Sequence, residues 1–394
     1  MQPSEVSVVT RTVREVSLGE SVDLEHLEGA LRQQGVRSDD DALTLVDFRN
    51  SRTFDVVALV FVLALVGTRI AEERLTRFRL PMAVAALETL RRHGFLDVAC
   101  QVAQAPLPLL LALEDVERVS DAVRASPSTW TGDPGEQILQ HLRHKRVLGL
   151  HMYRLSGEDA RTAMVQQELR RWTEPLALAL FSRHLKGTAE WDVARVIVHE
   201  ILANVQEHPR ASTAVVASDM ALPRDAPQSA LTIAVWDDGE SIVETLRRGL
   251  VGRGTVRIAP PPTSDTFRIR RRGTGAGVAD EKRTSTWSPV IASDDLDLLL
   301  ASLFPGISNK VLESAHASDW SYDPFLGCGL YFLYHHVIDV FQGALDIYVG
   351  AIRLTIEAEI DPKSSAQYLV TLAEGLGTPK IRGNLVVARL PTHA

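Results

Sequence analysis

The sequence predicts an α/β protein in two folded parts, a small N-terminal α/β unit and a larger C-terminal one. Three observations predict it. Residues 1 to about 105 alternate short apolar or β-branched runs with stretches of helical spacing, the pattern of a small open α/β sheet. The segment SPSTWTGDPGE, 126–136, is rich in Pro, Gly, Ser and Thr and reads as a linker. From about residue 146 a second series of helix and strand patterns begins, ending in a strand over Asn384–Leu390.

The 394 residues are 45% hydrophobic and 23% charged, an ordinary balance for a globular chain able to bury sizeable cores. A net charge of -8 and a pI of about 5.9 argue against broad nucleic-acid binding through phosphate neutralisation. Cys100 and Cys328 stand far apart in no metal-like spacing. That excludes a disulfide framework and makes a reducing cytoplasm the simplest home. The opening MQPSEVSVVTRTVREV lacks the basic-then-apolar order of a signal peptide. The longest apolar run, Val56 to Gly67, lies between Asp55 and Arg69. It is shorter than the roughly 20 residues that cross a bilayer and is read as a buried helix, with no membrane insertion.

In chain order, Val6–Val16 has strand-like content, and Leu24–Gln34 has helical spacing with Gly35 at its end. Ala42–Phe48 reads as a buried strand, and Asp55 as the cap of an apolar helix through Ala71. A strand near Leu75–Leu80 and a helix from Met82 to His93 follow. Residues 106–145 form a connecting stretch in which APLPLLLAL packs as a short helix. The strand LTLVDF, the turn RNSRTFD, the helix opening VVALV and the ending LETLRRHGF resemble a STAS domain, the fold of anti-anti-sigma factors. Phosphorylatable members carry Ser or Thr after the turn's Asp; here Val56 and Val57 follow Asp55. The resemblance therefore implies a domain that binds protein partners and is not switched by phosphorylation.

Three boxes beyond residue 146 carry the chemistry. The first is HEILANVQEH, 199–208, on a helix from Trp191 to His208 that Pro209 ends. Ala194, Ile197, Val198, Ile201, Leu202 and Val205 share its apolar face. Glu200, Asn204 and His208, four apart, form a polar stripe beside it. The second is LTIAVWDDGESI, 231–242, a strand from Leu231 to Trp236 that Asp237-Asp238-Gly239 turns outward. The third is LGCGLYFLYHHVIDVFQGAL, 326–345, in which Gly327 and Gly329 open a helix that ends at Gly343. Glycines before a helix N-terminus expose N–H groups suited to phosphate. Each box alone also reads as ordinary structure: an amphipathic helix, a strand-exit turn, a helix start.

In this order the boxes resemble the N, G1 and G2 boxes (ExxxN, DxGxG, GxGL) of GHKL ATP-binding proteins, over residues 146–394. The resemblance implies a Bergerat-type α/β sandwich, a mixed sheet with helices on one face, and ATP and Mg²⁺ as ligands. It implies that Asn204 gives its side-chain oxygen to Mg²⁺ and that Glu200 orients or deprotonates water, or activates a hydroxyl. Asp237 accepts from the adenine amino group and Gly239 lets the backbone approach the base. His208, Ile242, Gly327, Gly329 and Leu330 complete the implied nucleotide contacts. The chain departs from the pattern at Ser241, where the family's second glycine stands.

Between the second and third boxes, about 243–326, the family holds its ATP lid. The lid here contains Arg268, Arg270, Arg271, Arg272 and the run GTGAG at 273–277. These arginines read either as a mobile lid meeting a phosphate or a partner, or as the charges of a flexible solvated loop. His199, beside Glu200, reads as a buried or capping histidine. A conventional sensor histidine kinase is disfavoured, because no dimerisation helix with a matching histidine precedes the domain.

Three functions fit. The first is an ATP-hydrolysing regulatory switch that acts through partner proteins, with a homodimer as one form. The second is an anti-sigma-factor-type serine/threonine protein kinase. The third is a scaffold or sensor that binds nucleotide without hydrolysing it.

Overall fold

A computed structural model describes residues 13–36, 42–116, 118, 149–173, 187–207, 210–221, 229–250, 265–272, 279–284, 295–304, 329–374 and 379–392. The N-terminal part runs β1 (Val13–Ser17), β2 (Ser21–Val22), α1 (Leu24–Gln33), β3 (Leu43–Asp47), β4 (Thr53–Phe54), α2 (Val56–Ala71) and β5 (Thr76–Arg79). It ends with α3 (Val84–His93), α4 (Phe95–Ala103) and α5 (Leu107–Leu110). Strands β1, β3 and β5 form a parallel sheet in that order, and β2 pairs with β4. Asp23 caps α1 by accepting the His26 N–H, and Gly35 leaves it with a φ of +58°. Asp55 caps α2 by accepting the Val57 N–H at 3.1 Å. Residues 111–115 stay on this unit, since the Ala112 N–H donates to the Phe78 carbonyl and the Leu80 N–H to Asp115.

The C-terminal part begins with β6 (His151–Arg154), α6 (Glu158–Thr173), α7 (Gly187–Glu207), β7 (Thr213–Ala221), β8 (Ser229–Asp237) and α8 (Ile242–Leu250). It continues through β9 (Thr266–Arg272), β10 (Ala279–Thr284), α9 (Asp295–Ala301) and α10 (Gly329–His335), which runs into a π turn over His336–Val340. It closes with β11 (Ala344–Gly350), β12 (Ile352–Ala358), β13 (Tyr368–Glu374) and β14 (Ile381–Thr392). The nine strands form one mixed sheet, ordered β10-β9-β13-β12-β11-β14-β8-β7-β6, in which β13 and β9 are parallel and the other pairs antiparallel.

Side-chain alternation assigns the two faces of this sheet. Ala214, Val216, Leu231, Ile233, Val235, Val386, Ala388 and Leu390 point into one core with α6, α7, α8, α9 and α10. Their neighbours Val215, Ala217, Ala234, Trp236, Leu385 and Val387 point into a second core, shared with the N-terminal unit. The C-terminal part's own described helices all pack on the first face, as expected, and the other face over β7, β8 and β14 is covered by α2 of the N-terminal unit. The reason is written in runs such as AVVA and LTIAVW. Apart from Thr232 they are apolar at every position, as strands buried on both faces are. Nearly every side chain of α2 is buried, from Val56 to Val66 without exception. Gly67 lets it lie close, because a Cβ there would stand 2.5 Å from Trp236 Cη2. Thr68 fixes the register by accepting the Arg382 N–H at 2.8 Å. Among the described residues no helix is long and apolar enough to cross a membrane.

The expected lid is also partly sheet. TFRIRRR forms β9, between the edge strand β10 and β13, with Phe267 and Ile269 in the first core and Arg268 and Arg270 on alternate positions. That period of two is the strand signal. Arg268 pairs with Glu359 and Asp361 at 3.3 and 3.1 Å, so its charge serves the β12–β13 connection. The run GTGAG lies outside the described residues.

Candidate functional site

The apolar face of α7 is buried as its spacing requires: Ala194, Ile197, Val198, Ile201, Leu202 and Val205 are each at most 3% exposed. This fixes the helix roll and sets Glu200 and Asn204 at the edge of the core. Glu200 keeps a quarter of its side chain exposed, 3.5 Å from His199 Nδ1. His199 is itself half exposed, so it is neither the buried nor the capping residue the sequence suggests. The Asn204 Nδ2 is buried and has no hydrogen-bond partner among the described residues.

Gly329 opens α10 against this pair. A Cβ at Gly329 would stand 3.4 Å from Asn204 Oδ1 and 3.6 Å from Glu200 Oε2. The first and third boxes, 125 positions apart from Asn204 to Gly329, thus share one place. Leu330 follows and packs into the core beside α7. His208 and Gly327 lie outside the described residues.

The second box approaches from the sheet. Asp237 ends β8 with the parity of Val235, on the helical face, and is buried. Its Oδ1 accepts the Gly239 N–H at 2.9 Å and its Oδ2 accepts Asn384 Nδ2 at 3.1 Å. Asn384 is the cross-strand partner of Asp237 on β14, and its Oδ1 accepts the Ile242 N–H at 2.8 Å. One amide thus orients the carboxylate and satisfies an orphan donor at the start of α8. Asp238 ties the same turn to the start of β7 by accepting from the Ser212 and Thr213 N–H groups at 2.7 and 2.8 Å.

Ser241 has its own structural role. The Glu244 N–H donates to Ser241 Oγ at 3.2 Å, and the Ser241 N–H donates to Glu244 Oε2 at 2.9 Å. This is a capping box for α8. Burial raises the Glu244 pKa, but the hydrogen bonds from Ser241 outweigh it and hold the carboxyl below its usual range.

Sequence reasoning missed two groups. Asn384 was legible only as the first residue of a strand, although a Gly-Asn step before LVVARL marks a special position. The second is a polar network where β9 meets α10. His335 places Nε2 3.0 Å from Asp265 and Nδ1 2.6 Å from Asp339, while the Tyr334 and Tyr368 hydroxyls donate to Asp265 and Asp339. Burial lowers the His335 pKa, but its bonds to the two carboxylates outweigh that and raise it above the usual value. A raised histidine stabilises the fold fully below its unfolded pKa of about 6.5, and the gain is lost as pH rises through the folded value. Wild type is therefore expected to lose stability from about pH 6.5 upward, and His335→Gln to lose that slope. Urea unfolding of both proteins at pH 6 and pH 8 checks it; equal slopes would remove the imidazolium from the network.

Two clefts of about 530 and 560 Å³ lie away from the Glu200–Asn204–Gly329 place, one against α1 and one against the C-terminal end of α2. Among the described residues no cluster of three or more His, Cys, Asp or Glu could hold a metal ion. Compared with protein-family models, with curated proteins and with solved structures, the chain matches none.

Proposed function

We propose that the chain is an ATP-binding, ATP-hydrolysing switch of the GHKL type that acts through partner proteins. One observation carries the reading: Glu200 and Asn204 converge on Gly329, on the sheet face that also bears Asp237. A carboxylate, an amide and a glycine-opened helix start are what a magnesium-bound polyphosphate needs.

Two features of the place suit such a group. The buried Asn204 amide, whose Nδ2 has no partner among the described residues, leaves a polar group to be satisfied. The bare Cα of Gly329 keeps the space beside both side chains open. Magnesium commonly takes only one or two protein ligands beside phosphate oxygens and water, and Asn204 Oδ1 offers one.

In this reading Asn204 offers Oδ1 as a magnesium ligand, and the ion when bound neutralises phosphate charge. Glu200, with one face in solvent, takes the proton from an attacking water. Asp237, oriented by Asn384 and Gly239, accepts from the adenine amino group, a charged hydrogen bond inside a buried turn.

Asp237→Asn is expected to weaken ATP binding about ten- to a hundredfold, the range of one charged hydrogen bond, with the fold kept. Calorimetry with ATP and Mg²⁺ reads this. Unchanged affinity in the variant, or a wild type that binds no ATP, would overturn the reading. A wild type that binds ATP without releasing phosphate moves the assignment to a protein kinase or a nucleotide-dependent scaffold.

A further inference from the structure

The second face of the large sheet is divided. Over β7, β8 and β14 it is apolar and covered by α2, whereas over β11 and β12 it presents Asp346, Tyr348, Arg353 and Thr355. Helix α1 stands above this polar half and brings Glu28 to it, leaving a cleft of about 530 Å³. That volume suits a small ligand.

Three features of the cleft are incomplete. Tyr348 lines it and is 2% exposed, yet its hydroxyl has no hydrogen-bond partner among the described residues. Buried hydroxyls without partners are rare and costly. Burial and the nearby Asp346 push the Tyr348 pKa well up, so the hydroxyl stays protonated and offers a donor. Arg353 is held over the Tyr348 ring, 5.3 Å from its centroid, with Nε and Nη2 each 3.2 Å from Asp346 Oδ1. Its Nη1 lies 3.8 Å from Glu28 Oε2, beyond hydrogen-bond reach. Glu28 is 9% exposed, and burial raises its pKa. The cleft thus holds a donor and a guanidinium on its floor and an under-satisfied carboxyl on its wall.

Complementary groups point to the class of occupant. Arg353 and the Tyr348 hydroxyl on the floor suit a carboxylate, and Glu28 on the wall suits an ammonium. Asp346, bonded to Arg353 and Arg389, stands behind this floor. A zwitterion meets both sets of groups. We propose that this cleft binds an amino-acid-like zwitterion, its carboxylate on the Tyr348 hydroxyl and Arg353 and its ammonium on Glu28. Tyr348 and Glu28 both flank Arg353, so one short carbon frame spans them. The rim residues Glu25, Arg32 and Glu357 leave the ligand's side chain in a solvated, charged mouth. The site lies on the sheet face opposite Glu200 and Asn204 and does not depend on the ATP reading.

The test uses the full chain. Thermal unfolding is followed with each of the twenty common L-amino acids at millimolar concentration, since a ligand of the folded state raises the midpoint. Calorimetry then compares the best binder with its analogues lacking the amino group or the carboxylate. At least one amino acid is expected to bind, and both analogues to fail. Tyr348→Phe is expected to weaken binding about tenfold or more while the free protein's midpoint is kept or rises, because an unsatisfied hydroxyl is removed. Glu28→Gln should weaken the amino acid as well. The proposal is overturned by a panel with no binder, by equal affinity in Tyr348→Phe, or by an amino-free analogue that binds as tightly as its parent.

Discussion

Alanine at position 200 is expected to leave ATP bound while slowing phosphate release about a hundredfold or more, the range of a positioned general base. Glu200 projects from the edge of α7, and the helix is anchored by residues on another face, from Ala194 to Val205. Its removal strips no apolar surface from the core. The side chain reaches solvent, a quarter exposed, so the space left by truncation opens to water and the fold is retained. Nucleotide affinity on this reading rests chiefly on Asp237 and Asn204, which are untouched. Steady-state phosphate release beside equilibrium ATP binding separates the two effects. Unchanged release would take Glu200 out of the reaction, and joint loss of binding and release would mean that it holds the nucleotide instead.

Alanine at Gly383 is expected to cost about 4 kcal/mol or more of stability, at the far tail of single substitutions. Gly383 has a φ of +77°, in the left-handed region that only glycine enters freely. A Cβ there would collide with the Asp237 carbonyl oxygen, lie 2.7 Å from its carbon and come within 3.0 Å of the Gly239 nitrogen. These are main-chain atoms where β8 meets β14, in the middle of the sheet, and no flexible side chain can give way. The substitution strikes the Asp237 turn as well as the strand pair, so whatever folds should also bind ATP poorly. Urea denaturation and ATP calorimetry on the same variant read both effects. Stability within about 1 kcal/mol of wild type, the ordinary range of point substitutions, would show that this close approach is absent.

Local signals made much of the frame legible. Asp55 before VVALV named both the cap and the helix that follows it, which ends at Ala71 as its pattern indicates. The four-residue spacing of Glu200 and Asn204 beside an apolar stripe gave their placement on α7. Gly329 was legible as a helix start, but its approach to Asn204 joins positions far apart in the chain and has no local signature. The same holds for Asn384. Its meaning comes from sitting opposite Asp237 across the β8–β14 pair, and register is a property of the folded sheet. Two misreadings have local causes, the first of them charge weighed over periodicity. The four arginines of TFRIRRR suggested a solvated loop, whereas Phe267 and Ile269 between them fix a strand. At Ser241 a departure from a motif drew attention away from the S-x-x-E step that caps α8.

Helix α2 has no outside. A helix on a protein surface can exchange one face of its residues freely, whereas here almost every position is read by one core or the other, and Gly67 by the bulk of Trp236. The N-terminal unit is thus not a detachable module carried beside the C-terminal one. Recombination that swapped it for another domain of the same architecture would leave Trp236, Leu385 and Val387 facing water unless the incoming helix reproduced the same relief. The two halves are bound to change together, residue against residue, along the line where α2 meets β8 and β14.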